Sequence, residues 1–89
     1  MNPDQKVLMR NRLLQQLYDS APSAVVTDIL AQGVRLAGFS AEPTDIEREL
    51  TFARDKGLVE LVPHPQSAAL KRWRLTAAGR DYLESEGLV

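Results

Sequence analysis

The stretch that decides the fold runs Gly57-Leu58-Val59-Glu60-Leu61-Val62. It crosses a gap containing proline and serine, then resumes as Lys71-Arg72-Trp73-Arg74-Leu75-Thr76-Ala77-Ala78-Gly79-Arg80. Gly57 is a helix stop, because glycine takes the left-handed conformation of a helix C-terminus without the Cβ penalty. Apolar and β-branched residues follow at once, as a strand prefers. After the gap, alternation puts Trp73 and Leu75 on one face of a second strand and Arg72 and Arg74 on the other. Thr76 is a natural N-cap for a further helix. Pro63-His64-Pro65-Gln66-Ser67-Ala68-Ala69 is left as the tip of the hairpin, where proline discourages edge-to-edge pairing. The order is helix, strand, tip, strand, helix.

Three helices precede this hairpin. Asn2 can cap the first, with Pro3 at the position where a missing N–H costs nothing. Leu13, Leu14 and Leu17 form its core face, and Asp19-Ser20-Ala21-Pro22 breaks it. Ser23 is the expected cap of the second helix, with Thr27 as a later option. Val26, Ile29, Leu30, Gly33, Val34 and Ala37 give that helix one apolar stripe. Gly33 within the stripe implies close approach of another helix, and Gly38 ends it. Phe39 to Pro43 form the turn. Thr44 and Glu47 are spaced as a capping box for the third helix. Ile46, Leu50 and Ala53 face inward from it. In the last helix Ala78, Tyr82 and Leu83 are expected to pack back, and Gly87 to end it before the apolar pair Leu88-Val89.

Composition narrows the function. Eighty-nine residues with 44% hydrophobic side chains make one domain, 1–89, with a small core. The absence of cysteine excludes disulfides, thiol catalysis and cysteine metal sites, and fits a cytoplasmic protein. No apolar run approaches the roughly 20 residues of a membrane span. The N-terminus has no signal-peptide pattern. Eleven basic residues against twelve acidic ones leave a formal net charge of −1, mildly against a dedicated nucleic-acid binder. His64, the one histidine, has no second ligand at metal spacing. With no phosphate loop and no catalytic set, neither enzyme activity nor a cofactor is expected.

Two segments carry a family resemblance. Thr44-Asp45-Ile46-Glu47-Arg48-Glu49-Leu50-Thr51-Phe52-Ala53-Arg54-Asp55-Lys56-Gly57-Leu58-Val59 looks like the recognition helix and first wing strand of winged-helix regulators of the MarR and PadR kind. Trp73-Arg74-Leu75-Thr76-Ala77-Ala78-Gly79-Arg80-Asp81-Tyr82-Leu83 resembles their second wing strand and following helix. The expected fold class is therefore α+β, a winged helix-turn-helix of three helices, a two-stranded β-wing and a C-terminal helix. In its shortness the chain looks like a minimal, phage-type version. It has no counterpart of the long dimerisation helices, so the resemblance carries over no inducer pocket.

The resemblance implies a DNA-binding transcription regulator that pairs as a homodimer. The outward face of the third helix, with Thr44, Arg48 and Thr51, would enter the major groove, where Arg48 suits guanine and the threonines suit phosphate. Lys71, Arg72 and Arg74 are the densest basic cluster and would grip the backbone from the wing. Lys6, Arg10, Arg12 and Arg35 are expected to be solvated. Two facts pull the other way: the third helix holds more acid than base, and acids near a helix start favour its dipole with no functional role. The alternative is a winged-helix protein-interaction module without DNA binding. It would offer the acidic third helix, or an apolar patch around Phe52 and the C-terminal tail, to a protein partner.

Overall fold

The computed structural model describes residues 1–89. Helix α1 spans Pro3–Ser20, strand β1 Val25–Val26, α2 Thr27–Leu36, α3 Pro43–Asp55, β2 Val59–Pro63, β3 Lys71–Leu75 and α4 Ala77–Ser85. The strands form one antiparallel sheet in the order β1-β3-β2. The architecture is the expected α+β winged helix, with one strand more than the hairpin.

The added strand corrects the start of α2. Val25 pairs with Trp73 and Val26 with Arg72, so two β-branched residues join the sheet where the sequence suggested helix. The helix then begins at Thr27, after the Val26 N-cap, and not at Ser23. Its buried residues are Leu30, Ala31 and Val34. Ile29 is 55% exposed against the expectation of burial. It precedes Leu30 by one residue, about 100° around the helix, which turns it off the core face. Thr27 has a different task. Its hydroxyl accepts the Trp73 indole N–H at 2.9 Å, so the one buried aromatic ring has a satisfied polar edge.

Fourteen buried apolar side chains make a single core, from Met9, Leu13, Leu14 and Leu17 of α1 through Leu30, Ile46 and Leu50 to Trp73 and Leu83. Leu75 is half-buried against it. At Gly33, α1 and α2 come as close as the sequence implied. A Cβ there would lie 2.0 Å from the Gln16 side chain, whose amide donates to the Leu30 carbonyl.

The turn before α3 also departs from expectation. Glu42 is the N-cap and Pro43 the first helical residue. The Asp45 carboxylate accepts the Glu42 N–H at 3.1 Å, the work assigned by spacing to Thr44 and Glu47. Proline at the first position favours this frame, since its fixed φ suits a helix start. Thr44 and Glu47 are thereby released from capping. Arg35, whose guanidinium donates twice to the Ala41 carbonyl, braces the turn.

The Leu-Thr-x-x-Gly element has a packing reason. Thr76 Oγ1 accepts the Gly79 N–H and donates to the Gly57 carbonyl, joining the ends of α3 and α4. A Cβ on Gly79 would sit 2.1 Å from the Leu58 carbonyl oxygen, so only glycine fits. Ala78, one residue earlier, is exposed and does not pack back as expected. Leu83 does, and the Tyr82 hydroxyl donates to the Asn11 side chain.

Candidate nucleic-acid interface

A shallow groove runs along the outward side of α3, lined by Thr44, Glu47, Arg48, Thr51, Phe52 and Asp55. This is the face the sequence marked, and the helix period explains it. With Ile46, Leu50 and Ala53 committed to the core, the residues between them must point away. Arg48 is the one cation lining the groove, with 68% of its side chain accessible and only a distant partner, Asp45, at 3.8 Å.

The wing cations are divided. Lys71 shares the Trp73 face of β3, next to α3, and its ammonium contacts the Glu47 carboxylate. Arg72 and Arg74 belong to the other face by alternation. Arg74 lies opposite Glu60 in the register and pairs with it. Arg72 donates to the Pro63 carbonyl at 2.5 Å, while its Nε is buried without a partner. Thr44, Arg48 and Thr51 therefore line one groove, Lys71 adjoins it through Glu47, and Arg72 and Arg74 do not join them.

One pair was missed by sequence reasoning. Arg10 Nε donates to the Glu49 carboxylate at 2.8 Å, with side-chain exposures of 22% and 8%. Arg10 is thus tied and half-buried, not solvated as expected. Its guanidinium also lies over the Phe52 ring, 4.2 Å from the centroid, and Lys56 approaches the same ring at 5.5 Å. Phe52 keeps 42% of its surface exposed, yet its ring is met by two cations. The signal was present. Glu49 interrupts the inward stripe of Ile46, Leu50 and Ala53 at helical spacing, and Arg10 does the same among Met9, Leu13 and Leu14. Two opposite charges on two apolar stripes call for each other.

These contacts change the electrostatics. Between Asp45 and Lys56 there are four acids and three bases, which appears unfavourable for a polyanion partner. Asp45 caps the helix, Glu49 is neutralised from behind by Arg10, and Glu47 is met by Lys71. Counting Arg10 and Lys71 with the helix they serve turns the local balance to five bases against four acids.

Solved structures of other proteins share this fold. MarR from E. coli in its apo form superposes with a TM-score of 0.72 at 21% identity, covering 85% of this chain and 51% of that one. The chain has the winged helix-turn-helix fold. A MepR mutant from S. aureus bound to an oligodeoxyribonucleotide matches with a TM-score of 0.74 at 18% identity, over 91% of this chain and 59% of that chain. A further MarR-family transcription regulator matches at 0.62 and 18%, over 96% and 60%. The chain spans between half and two-thirds of the length of these regulators. No protein-family model and no curated protein matches it.

Proposed function

We propose that this protein is a small DNA-binding transcription regulator, with α3 in the major groove and the wing on phosphate. The observation that carries this reading is the charge arrangement of α3. Its outward groove presents Thr44, Arg48 and Thr51, while three of the four acids of α3, Asp45, Glu47 and Glu49, are engaged by a cap or a cation and only Asp55, at the far end of the groove, has no such partner. A MepR molecule of the same fold bound to an oligodeoxyribonucleotide supports it. Lys71 stands next to the groove, and Arg72 and Arg74 are the flanking phosphate ligands of this proposal.

Two copies would pair through α1 and α4, leaving α3 and the wing free. They would read half-sites one helical turn apart. A cytoplasmic location completes the reading, and no helix is long and apolar enough to cross a membrane. The protein-docking alternative draws less support: three of the four acids of α3 are engaged, and the Phe52 ring that would anchor an apolar patch is met by Arg10 and Lys56. No chemical step is assigned to the protein.

The test is a titration against random duplex DNA over a range of salt. Binding should weaken linearly on a log–log plot, with a slope near −0.9 per phosphate neutralised. No affinity for any duplex at low salt would end the DNA reading. Sedimentation at tens of micromolar checks the pairing, and a monomer there counts against it.

A further inference from the structure

We infer that Glu47 is a base-selecting residue, gated by its ion pair with Lys71. The inference rests on the DNA reading above and deepens it. Glu47 and Lys71 are the only two residues that join the outward side of α3 to the wing by an ion pair. Both side chains are close to half exposed, at 41% and 49%, so neither is locked in the core. Glu47 has been released from capping, because Asp45 does that work. It stands beside Arg48 in the groove that would face base edges. The other acids of α3 differ. Asp45 is bound at the helix start, Glu49 is buried against Arg10, and Asp55 lies two turns further along at the other end of the helix.

A phosphate near the wing competes with Glu47 for the Lys71 ammonium. An exposed pair is held only weakly against water, so a polyanion can draw the lysine away. The carboxylate is then left unpaired in the major groove. It has acceptors and no donor, and each base pair offers it something different. Cytosine presents its N4 amino group, which a carboxylate accepts well, whereas guanine O6 and N7 and thymine O4 repel it. An unpaired carboxylate facing those acceptors costs more than a missing contact, because a desolvated charge lacks a partner. One residue thus rewards a cytosine, meets adenine less well because its N6 donor stands beside the N7 acceptor, and rejects guanine and thymine; the lysine's departure to phosphate is what exposes it. Arg48, with five donors, is suited to the neighbouring guanine. The chain's excess of acid on this helix becomes a device of discrimination.

The experiment is a binding selection from duplexes with a randomised core, run on the unmodified protein, Glu47→Gln and Lys71→Gln, with salt titrations of each. The unmodified protein should enrich cytosine at one position. Glu47→Gln should lose that preference by about tenfold, keep the preference set by Arg48, and bind random duplex more tightly. Lys71→Gln should lower the salt slope by about one unit, because the lysine reaches phosphate in the complex. The same base preferences in Glu47→Gln and the unmodified protein overturn the inference while leaving DNA binding intact. An unchanged slope in Lys71→Gln also overturns it, since the lysine then stays on Glu47. No duplex bound by any of the three proteins removes the DNA reading together with this inference. Circular dichroism of the three proteins should be the same, which separates these outcomes from misfolding.

Discussion

The two sides of α3 carry similar charges to opposite ends. Behind the helix, Glu49 meets Arg10 where little water reaches, and the pair is part of the fold. In front, Glu47 meets Lys71 and Arg48 stands nearly free, in contact with water. A charge taken out of water must keep its partner, because the cost of leaving it alone is several kcal/mol. A charge in water can exchange its partner for about 1 kcal/mol or less. The rear pair is therefore fixed and the front pair is available. Net charge along the helix hides this difference, and burial reveals it.

The largest effects should lie behind the helix. Trp73→Ala should destabilise the fold by roughly 3–5 kcal/mol in chemical denaturation, the usual range for emptying a buried aromatic site. Its loss also removes the indole N–H that the Thr27 hydroxyl now accepts. A change below about 1 kcal/mol would show that the sheet is not anchored through this ring. Next comes Arg10→Ala, at about 2–3 kcal/mol, below the range for a fully buried pair because Arg10 retains contact with water. Joint replacement, Arg10→Met with Glu49→Leu, should recover most of that loss, since the buried charge goes with its partner. If the joint variant is no better than Arg10→Ala, the pair is not the reason for the loss. The stacking of Arg10 on Phe52 would then be the stronger tie.

The same contrast explains what could be read in the sequence. The hairpin and the last helix were legible because their signals are local: Gly57 stops one helix, alternation marks Trp73, and Thr76 caps the next helix. Each of these depends on a neighbour in sequence. What escaped depends on neighbours in space. Val25 and Val26 form a strand only because β3 lies beside them, and two residues carry no periodicity of their own. Ile29 fits an apolar stripe that begins at Val26, but Val26 belongs to the sheet and the buried face of α2 begins at Leu30. The Thr44 and Glu47 spacing satisfies a capping rule that Glu42 and Asp45 satisfy two residues earlier, with Pro43 at the first helical position. Of the candidate site, the exposed groove of Thr44, Arg48 and Thr51 follows from the helix period. The partners of its charges do not. Glu47 reaches Lys71 across 24 positions and Glu49 reaches Arg10 across 39, which no local pattern reports.

In front of the helix, Arg48→Ala should leave stability within about 0.5 kcal/mol, as for an exposed side chain with no close partner. Its effect belongs to binding: a loss on the order of 1–3 kcal/mol at one base pair, with other positions unchanged. A uniform loss across all sequences, accompanied by a shallower salt dependence, would instead place Arg48 on phosphate and break the division between helix and wing.

The smallest effect is expected at Glu60, and it tests whether the wing follows the rule of the front face. Glu60 and Arg74 are cross-strand partners in register, and nearly half of each side chain is exposed. Opposed charges in such a pair contribute roughly 0.2–1 kcal/mol, so Glu60→Gln should lower the denaturation midpoint only slightly. On DNA the direction reverses. If Arg74 takes a phosphate as proposed, it must leave Glu60, and the deserted carboxylate then sits beside a polyanion. Glu60→Gln removes both penalties and should tighten binding to random duplex at low salt, with a gain that fades as salt screens the charges. Arg74→Ala should lower the salt slope by about one unit and weaken all sequences equally. If Glu60→Gln leaves affinity unchanged while Arg74→Ala weakens it, Arg74 binds DNA without giving up its pair. If neither variant changes binding, the far face of the wing lies outside the interface, and phosphate gripping falls to Lys71 alone.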